Sequence, residues 1–202
     1  MEDLIYTISM ENNSFLWLPF KTASTTLSWI LAHYKFRHYC FKNGEYVLQR
    51  SMLTHLGHDL TLPPTHENMN LICATRHPYH RVLSFIKMLY QHAPETLTKE
   101  EFDRKAWEIC FKENSILNLS AVALKTRTPN FAIRQEHLFE DLVKIPFIKD
   151  SKLNQCGILE EMCDEKINSS FDLDVDEYLS KELKDKIFDS FKEHFELFNY
   201  QR

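Results

Sequence analysis

The order of apolar and polar residues constrains the fold most, because an apolar segment followed by a turn and a helical stretch occurs three times. The apolar segments have the length of buried strands and lie at 14–18, 71–75 and 130–133. The helical stretches that follow them lie at 25–34, 78–91 and 136–144. Repeated strand-then-helix units are typical of an α/β layered domain with a mainly parallel sheet. A length of 202 residues suits one compact domain over 1–202.

Capping residues predict two further helices and mark where they begin. Thr98 is followed at the capping-box spacing by Glu101, which predicts a helix over 99–113. Ser180 occupies the N-cap position of a last helix over 181–198. The buried face of that last helix is predicted by an apolar stripe: Leu183, Ile187, Phe191 and Phe195.

Composition excludes several classes of protein. The chain has only three glycines, so the glycine-rich loops of P-loop and dinucleotide-binding proteins are excluded by count. Five cysteines without paired spacing argue against a disulfide framework and against a zinc site. The formal net charge of -5 argues against a general nucleic-acid binder. The first residues, MEDLIYTISMENN, contain neither a basic segment nor a long apolar stretch, so we expect a soluble cytoplasmic protein that does not bind membranes.

The turn after the first predicted strand has the composition of an anion site. It combines a lysine with small residues at the start of a helix: Lys21, Thr22, Ala23, Ser24, Thr25 and Thr26. A helix N terminus offers free backbone N–H groups and the positive end of its dipole. Small side chains let the backbone approach an anion, and Lys21 adds a full positive charge. Taken alone, the segment fits a capped helix with an exposed lysine equally well.

The turn after the second predicted strand contains a second candidate anion group. Arg76 stands at the end of the strand, and Ser84 lies two turns into the helix that begins at Pro78. A guanidinium group can bind a phosphate with two parallel hydrogen bonds. Arginines at strand ends also form ion pairs with carboxylates, so this turn alone allows a purely structural role.

Together the two turns resemble the segments that bind 3′-phosphoadenosine 5′-phosphosulfate (PAPS) in the sulfotransferase superfamily. KTASTT at 21–26 is similar to the 5′-phosphosulfate loop, and RHPYHRVLS at 76–84 is similar to the 3′-phosphate motif. The resemblance is closest to the carbohydrate branch, particularly the uronyl and heparan 2-O-sulfotransferases. Further segments that resemble this branch lie at 133–141, at 167–170 and in the terminal FELFNY. It implies a P-loop-like three-layer domain whose central, mainly parallel sheet is flanked by helices.

The resemblance also implies a reaction and a set of residue roles. PAPS would be the co-substrate, no metal would be needed, and the acceptor would be a hydroxyl of a carbohydrate or small molecule. Lys21 would neutralise charge on the leaving phosphate, residues 22–26 would hold the 5′ end, and Arg76 and Ser84 would bind the 3′-phosphate. In-line transfer depends mainly on positioning and charge stabilisation.

A general base for the acceptor hydroxyl is the remaining requirement. Histidine suits this role because its pKa lies near neutrality. His58 is the candidate, because the segment HLGH resembles the segment that supplies the base in 2-O-sulfotransferases, and His55 is the reserve candidate. A loop histidine that only packs or caps is an equally weighted alternative.

Several positions depart from the family pattern and keep other classes of function open. Phe20 replaces a common proline, and His77 and His194 each replace a common aspartate. The segment 168–170 is followed by Phe171 and an aspartate where basic residues are expected. These departures suggest, as the alternative, a catalytically silent module that binds the nucleotide or a glycan. A nucleotide kinase is disfavoured because the GxxxxGK[ST] pattern is absent.

Overall fold

The structure is a computed structural model that describes residues 5–19, 21–42, 45–48, 68–89, 98–111, 127–165 and 174–202. The chain divides into two compact units. Met1–Thr75 and Arg127–Asn168 form the first unit, whereas Arg76–Thr126 and Ser169–Arg202 form the second. The single domain expected over 1–202 stays a prediction.

A sheet of six strands forms the centre of the first unit. The strands are β1 (Ile5–Ser9), β2 (Ser14–Trp17), β3 (Arg37–Lys42), β4 (Glu45–Leu48), β5 (Asn70–Thr75) and β6 (Phe131–Arg134). Their order across the sheet is β4-β3-β1-β2-β5-β6. The three strands predicted from apolar segments are confirmed as β2, β5 and β6, with small shifts at their ends.

The sheet is mixed, and the prediction of a mainly parallel sheet was wrong. β2 is parallel to β5, and β5 is parallel to β6. The pairs β1–β2, β1–β3 and β3–β4 are antiparallel. The physical reason is chain connection, because β1 reaches β2, and β3 reaches β4, through links that are too short for a parallel crossover. The strand-then-helix units predicted the parallel part of the sheet, β2-β5-β6.

Helices alternate with or follow the strands along the chain and make the protein mixed α/β. They are α1 (Ser24–Ala32), α2 (Pro78–Leu89), α3 (Lys99–Phe111), α4 (Leu138–Leu142), α5 (Pro146–Lys149), α6 (Lys152–Gln155), α7 (Ile158–Asp164), α8 (Val175–Tyr178), α9 (Lys181–Ser190) and α10 (Lys192–Phe198). The helix predicted over 136–144 is a 3₁₀ turn at Gln135–His137 followed by α4. The last predicted helix is divided at Phe191 into α9 and α10.

The two predicted caps are confirmed by hydrogen bonds in the second unit, and the bonds between Thr98 and Glu101 are reciprocal. The Thr98 backbone N–H donates to Glu101 Oε2 (3.0 Å), and the Glu101 N–H donates to Thr98 Oγ1 (3.2 Å). At α9 the Leu183 N–H donates to Ser180 Oγ (3.2 Å). Each side-chain cap contributes about 1 kcal/mol to helix stability, so these local contacts fix where α3 and α9 begin.

Each unit has its own apolar core. In the first unit, β2, α1, β5, β6 and α4 bury side chains that include Leu16, Ile30, Ile72, Ile133 and Leu142. In the second unit, the predicted stripe is buried with residues of α2 and α3: Leu183, Ile187, Phe191, Phe195, Val82, Ile86 and Phe102. Burying one such side chain contributes about 1.5–3 kcal/mol, so these cores hold the strand-to-helix turns in place.

Three expectations about chemistry and location concern the described residues. All five cysteines lie within them and none forms a disulfide bond, and Cys156 is the exposed one. Within the described ranges, no helix is both long and apolar enough to cross a membrane. In the same part of the chain, no group of three or more histidine, cysteine or acidic side chains is placed to hold a metal ion.

Candidate functional site

The Lys21 turn joins β2 to α1 through two residues in the left-handed backbone conformation. Lys21 has φ 65° and Ala23 has φ 60°, and α1 begins directly afterwards at Ser24. Among the described residues, no side chain caps the start of α1. Left-handed residues next to a helix start bring successive backbone N–H groups together into a concavity that binds anions. The described turn therefore has left-handed residues directly before a helix start, as such concavities do, and its role in binding an anion stays a prediction.

The hydroxyl groups of this turn differ in what they can offer a ligand. Thr22 is 1% exposed, and its hydroxyl donates to the Pro19 carbonyl at 2.6 Å. Thr26 is also buried, whereas Ser24 is half-buried and Thr25 is exposed. The Thr22 hydroxyl proton is therefore already engaged, and the accessible hydroxyls of this turn are those of Ser24 and Thr25.

The Arg76 turn lies at the start of the second unit. β5 ends at Thr75, Arg76 is half-buried, and Pro78 is the first residue of α2. Ser84 is 6% exposed on α2, so its hydroxyl is nearly withdrawn from solvent. The sequence therefore placed Arg76 and Ser84 correctly at a strand end and on the following helix. Their role in binding a phosphate stays a prediction.

A ring cluster adjoins the Arg76 turn within the second unit. His77 follows Arg76 directly, and its ring centroid lies 5.1 Å from that of Tyr200 and 5.4 Å from that of Phe195. The ring of His194 lies 6.1 Å from Tyr200 with the two planes only 9° apart. The sequence marked both histidines as departures from the family pattern, but nothing in the sequence indicated that they lie in one cluster.

The half-buried residue His194 makes the stability of the chain depend on pH. Burial, together with the positive charge of Arg81 and with His77, lowers the pKa of His194 to about 3 from its ordinary value of 6.5. The unfolded chain therefore takes up a proton below pH 6.5 that the folded chain binds only near pH 3. We expect the free energy of unfolding to fall by up to about 1.4 kcal/mol for each pH unit across this window, and to be unaffected by His194 above it.

Urea unfolding of the wild type and of His194→Phe at about pH 7 and about pH 5 measures this contribution. The phenylalanine ring cannot take up a proton in the unfolded chain. Its free energy of unfolding should therefore fall less between the two pH values. Equal losses in both proteins would contradict the pKa assigned to His194.

The segment that resembles a further part of the sulfotransferase pattern contains a buried ion-pair cluster in the first unit. Asp141 is 2% exposed and accepts hydrogen bonds from the Arg134 backbone (2.9 Å) and from Arg134 Nε (2.8 Å). It also accepts from the second guanidinium nitrogen of Arg134 (2.9 Å) and from Lys144 Nζ (2.6 Å). This cluster ties the end of β6 to α4, so the guanidinium of Arg134 has a structural partner.

Several candidate residues cannot be placed. His58, His55 and the segment 168–170 lie outside the described residues. Lys21 to Thr26 belong to the first unit, and Arg76 and Ser84 belong to the second.

Comparisons of the chain with models of protein families, with curated proteins and with solved structures found no match.

Proposed function

We propose that this chain is a PAPS-dependent sulfotransferase that sulfates a hydroxyl of a carbohydrate or another small molecule. The observation that carries the proposal is the Lys21 turn, in which two non-glycine residues have positive φ directly before a helix whose N-cap residue, Ala23, has no polar side chain to cap it. A left-handed conformation costs a non-glycine residue about 1–2 kcal/mol, and such strain is concentrated at functional sites. An anion that receives hydrogen bonds from this backbone is a physical reason for the turn to keep that conformation.

The proposal assigns one anionic group of PAPS to each turn. The backbone of residues 22–26 and the hydroxyls of Ser24 and Thr25 would hold the 5′-phosphosulfate, while Arg76 and Ser84 would hold the 3′-phosphate. Recognition of the 3′-phosphate is what separates PAPS from AMP and ATP. The finer fold proposal, a P-loop-like three-layer domain, is supported by the parallel strands β2, β5 and β6.

The proposed reaction is an in-line displacement at sulfur. The acceptor oxygen forms a bond to sulfur while the bond from sulfur to the 5′-phosphate oxygen breaks, and the acceptor proton passes to His58. The product nucleotide, 3′-phosphoadenosine 5′-phosphate (PAP), leaves with additional negative charge on its 5′-phosphate. The Lys21 ammonium group would stabilise that charge as it develops, which lowers the barrier more than it strengthens the binding of PAPS.

Calorimetric titration with PAP tests the proposal at Arg76. We expect Arg76→Ala to weaken binding about 30-fold, equivalent to about 2 kcal/mol, because a charge-assisted phosphate contact is lost. Arg104→Ala is the matched control, because Arg104 is an exposed arginine of α3 in the same unit. That control should bind PAP as the wild type does.

Equal weakening by both substitutions would indicate a general effect of positive charge rather than a site at Arg76. Unchanged affinity in Arg76→Ala would remove Arg76 from the site. A folded wild type that fails to bind PAP would overturn the proposed function.

A further inference from the structure

The C-terminal segment folds back over the second unit because α10 ends in a left-handed residue. Asn199 has φ 55°, and the Tyr200 N–H donates to the Phe195 carbonyl at 2.9 Å. The Asn199 N–H donates to the Glu196 carbonyl at 3.3 Å, which completes a Schellman motif. Among residues other than glycine, asparagine adopts this left-handed conformation most readily. This turn places Tyr200 and Gln201 beside the residues that follow Arg76.

Both ring nitrogens of His77 form hydrogen bonds, one to the C-terminal segment and one to the start of α2. Nε2 lies 2.9 Å from the Gln201 carbonyl oxygen and must donate to it, because a carbonyl only accepts. Nδ1 accepts from the Tyr79 backbone N–H at 3.3 Å. These two partners assign the neutral tautomer with its proton on Nε2. The ring therefore connects the start of α2 to the last residues of the chain.

His194 contacts the backbone of Arg76 itself. Its ring forms a hydrogen bond to the Arg76 backbone that favours the protonated ring, so the partner is the carbonyl oxygen. The ring also packs edge-on against Phe198, with 4.6 Å between centroids, and lies parallel to Tyr200. His77, the next residue in the chain, and His194, through its hydrogen bond, therefore both restrain the backbone of the residue that we assign to the 3′-phosphate.

We propose that His77, His194 and Tyr200, the histidine clasp, position Arg76 for binding of a 3′-phosphate. The inference rests on the proposed function, in which Arg76 binds that phosphate. Neither histidine touches the phosphate in this account, so both are positioning residues. Holding the backbone of Arg76 limits where its guanidinium can reach, and less conformational freedom is then lost when the phosphate binds.

Neutral rings suit this role better than carboxylates would. The low pKa keeps His194 uncharged near neutral pH, so the clasp adds no negative charge that would compete with a phosphate for the guanidinium. Arg81, 3% exposed on α2, carries a second positive charge that acts on His194. The clasp therefore holds the turn by hydrogen bonding and packing and adds no negative charge beside Arg76.

Titration with PAP of five proteins tests the clasp: wild type, His194→Phe, His194→Gln, Arg76→Ala and Arg76→Ala with His194→Phe. His194→Phe keeps a ring but cannot donate to the Arg76 carbonyl, and we expect about tenfold weaker binding. His194→Gln keeps an N–H donor and should bind within about threefold of the wild type. In the Arg76→Ala background, His194→Phe should weaken binding no further, because its effect acts through Arg76.

A matched control removes a histidine outside the clasp. His33→Phe changes an exposed histidine at the end of α1 in the first unit and should not alter affinity. Melting temperatures of all variants show whether each remains folded at the temperature of titration. If His194→Phe is unfolded at the temperature of titration, His77→Phe replaces it. That substitution removes the hydrogen bond to the Gln201 carbonyl, and we expect the same weakening of about tenfold in the wild-type background and no further weakening in the Arg76→Ala background.

The outcomes separate the clasp from the proposed function. Wild-type binding with unchanged affinity in the folded phenylalanine variant would overturn the clasp and leave the proposed function standing. Equal weakening in the wild-type and Arg76→Ala backgrounds would also overturn it, because the effect would then be general. A folded wild type that does not bind PAP would overturn the proposed function and the clasp together.

Discussion

Lys21→Met is expected to lower turnover about a thousandfold while changing the affinity for PAP less than about tenfold. The ammonium group acts on charge that develops on the leaving phosphate, so its removal affects the transition state more than the bound nucleotide. Methionine keeps an unbranched apolar side chain of similar length. The measurement is the rate of PAP release from PAPS in the presence of a panel of carbohydrate and small hydroxylated acceptors.

Lys35→Met is the matched control for this prediction. Lys35 is an exposed lysine of the same unit that also has φ 65°, so the substitution carries the same backbone strain. It should leave both turnover and affinity unchanged. Turnover that survives in Lys21→Met would contradict the catalytic role of Lys21. A wild type that binds PAP but releases none from PAPS would favour the silent binding module.

Asp141→Ala is expected to lower the free energy of unfolding by about 3 kcal/mol. The substitution removes the acceptor for Arg134 and Lys144 and leaves the partly buried Arg134 guanidinium without its carboxylate. Burial alone would raise the pKa of Asp141, but hydrogen bonds from Arg134 and Lys144 outweigh it and lower the pKa below its ordinary 3.8. This stabilisation is therefore present above pH 3.8 and is lost as the pH falls through the lower folded-state pKa.

Urea unfolding of Asp141→Ala and Glu140→Ala near neutral pH tests this account. Glu140 is an exposed acidic residue of the same helix, α4, and its removal should change the free energy of unfolding by less than about 0.5 kcal/mol. Similar losses in the two variants would show that the buried cluster contributes no more than a surface charge. A loss confined to Asp141→Ala would support the role of the cluster in holding β6 against α4.

The parts of the fold that the sequence predicted are those with strong local signals. β2, β5 and β6 are short apolar segments, and α3 and α9 begin at side chains that cap their own backbone. β1 and β4 were missed because each is short and mixes polar with apolar residues, so no periodic pattern distinguishes it from a loop. Missing them hid the antiparallel half of the sheet.

The same distinction applies to the candidate site. Each of the two turns, at Lys21 and at Arg76, is one continuous stretch of sequence. Its composition therefore predicted where it lies relative to a strand and a helix. The engagement of the Thr22 hydroxyl by the Pro19 carbonyl was missed, because it depends on how the turn closes. The meeting of His77 with His194 was missed because it depends on the packing of α10 and on the turn at Asn199.

The most direct test of the central claim is a calorimetric titration of the wild type with PAP and, in parallel, with AMP. The two ligands differ only in the 3′-phosphate that Arg76 and Ser84 are proposed to bind. We predict binding of PAP at least about a hundredfold tighter than binding of AMP, a difference of about 2.7 kcal/mol. Equal affinities, a preference for AMP, or no binding of PAP by the folded protein would contradict the assignment of this chain as a PAPS-dependent sulfotransferase.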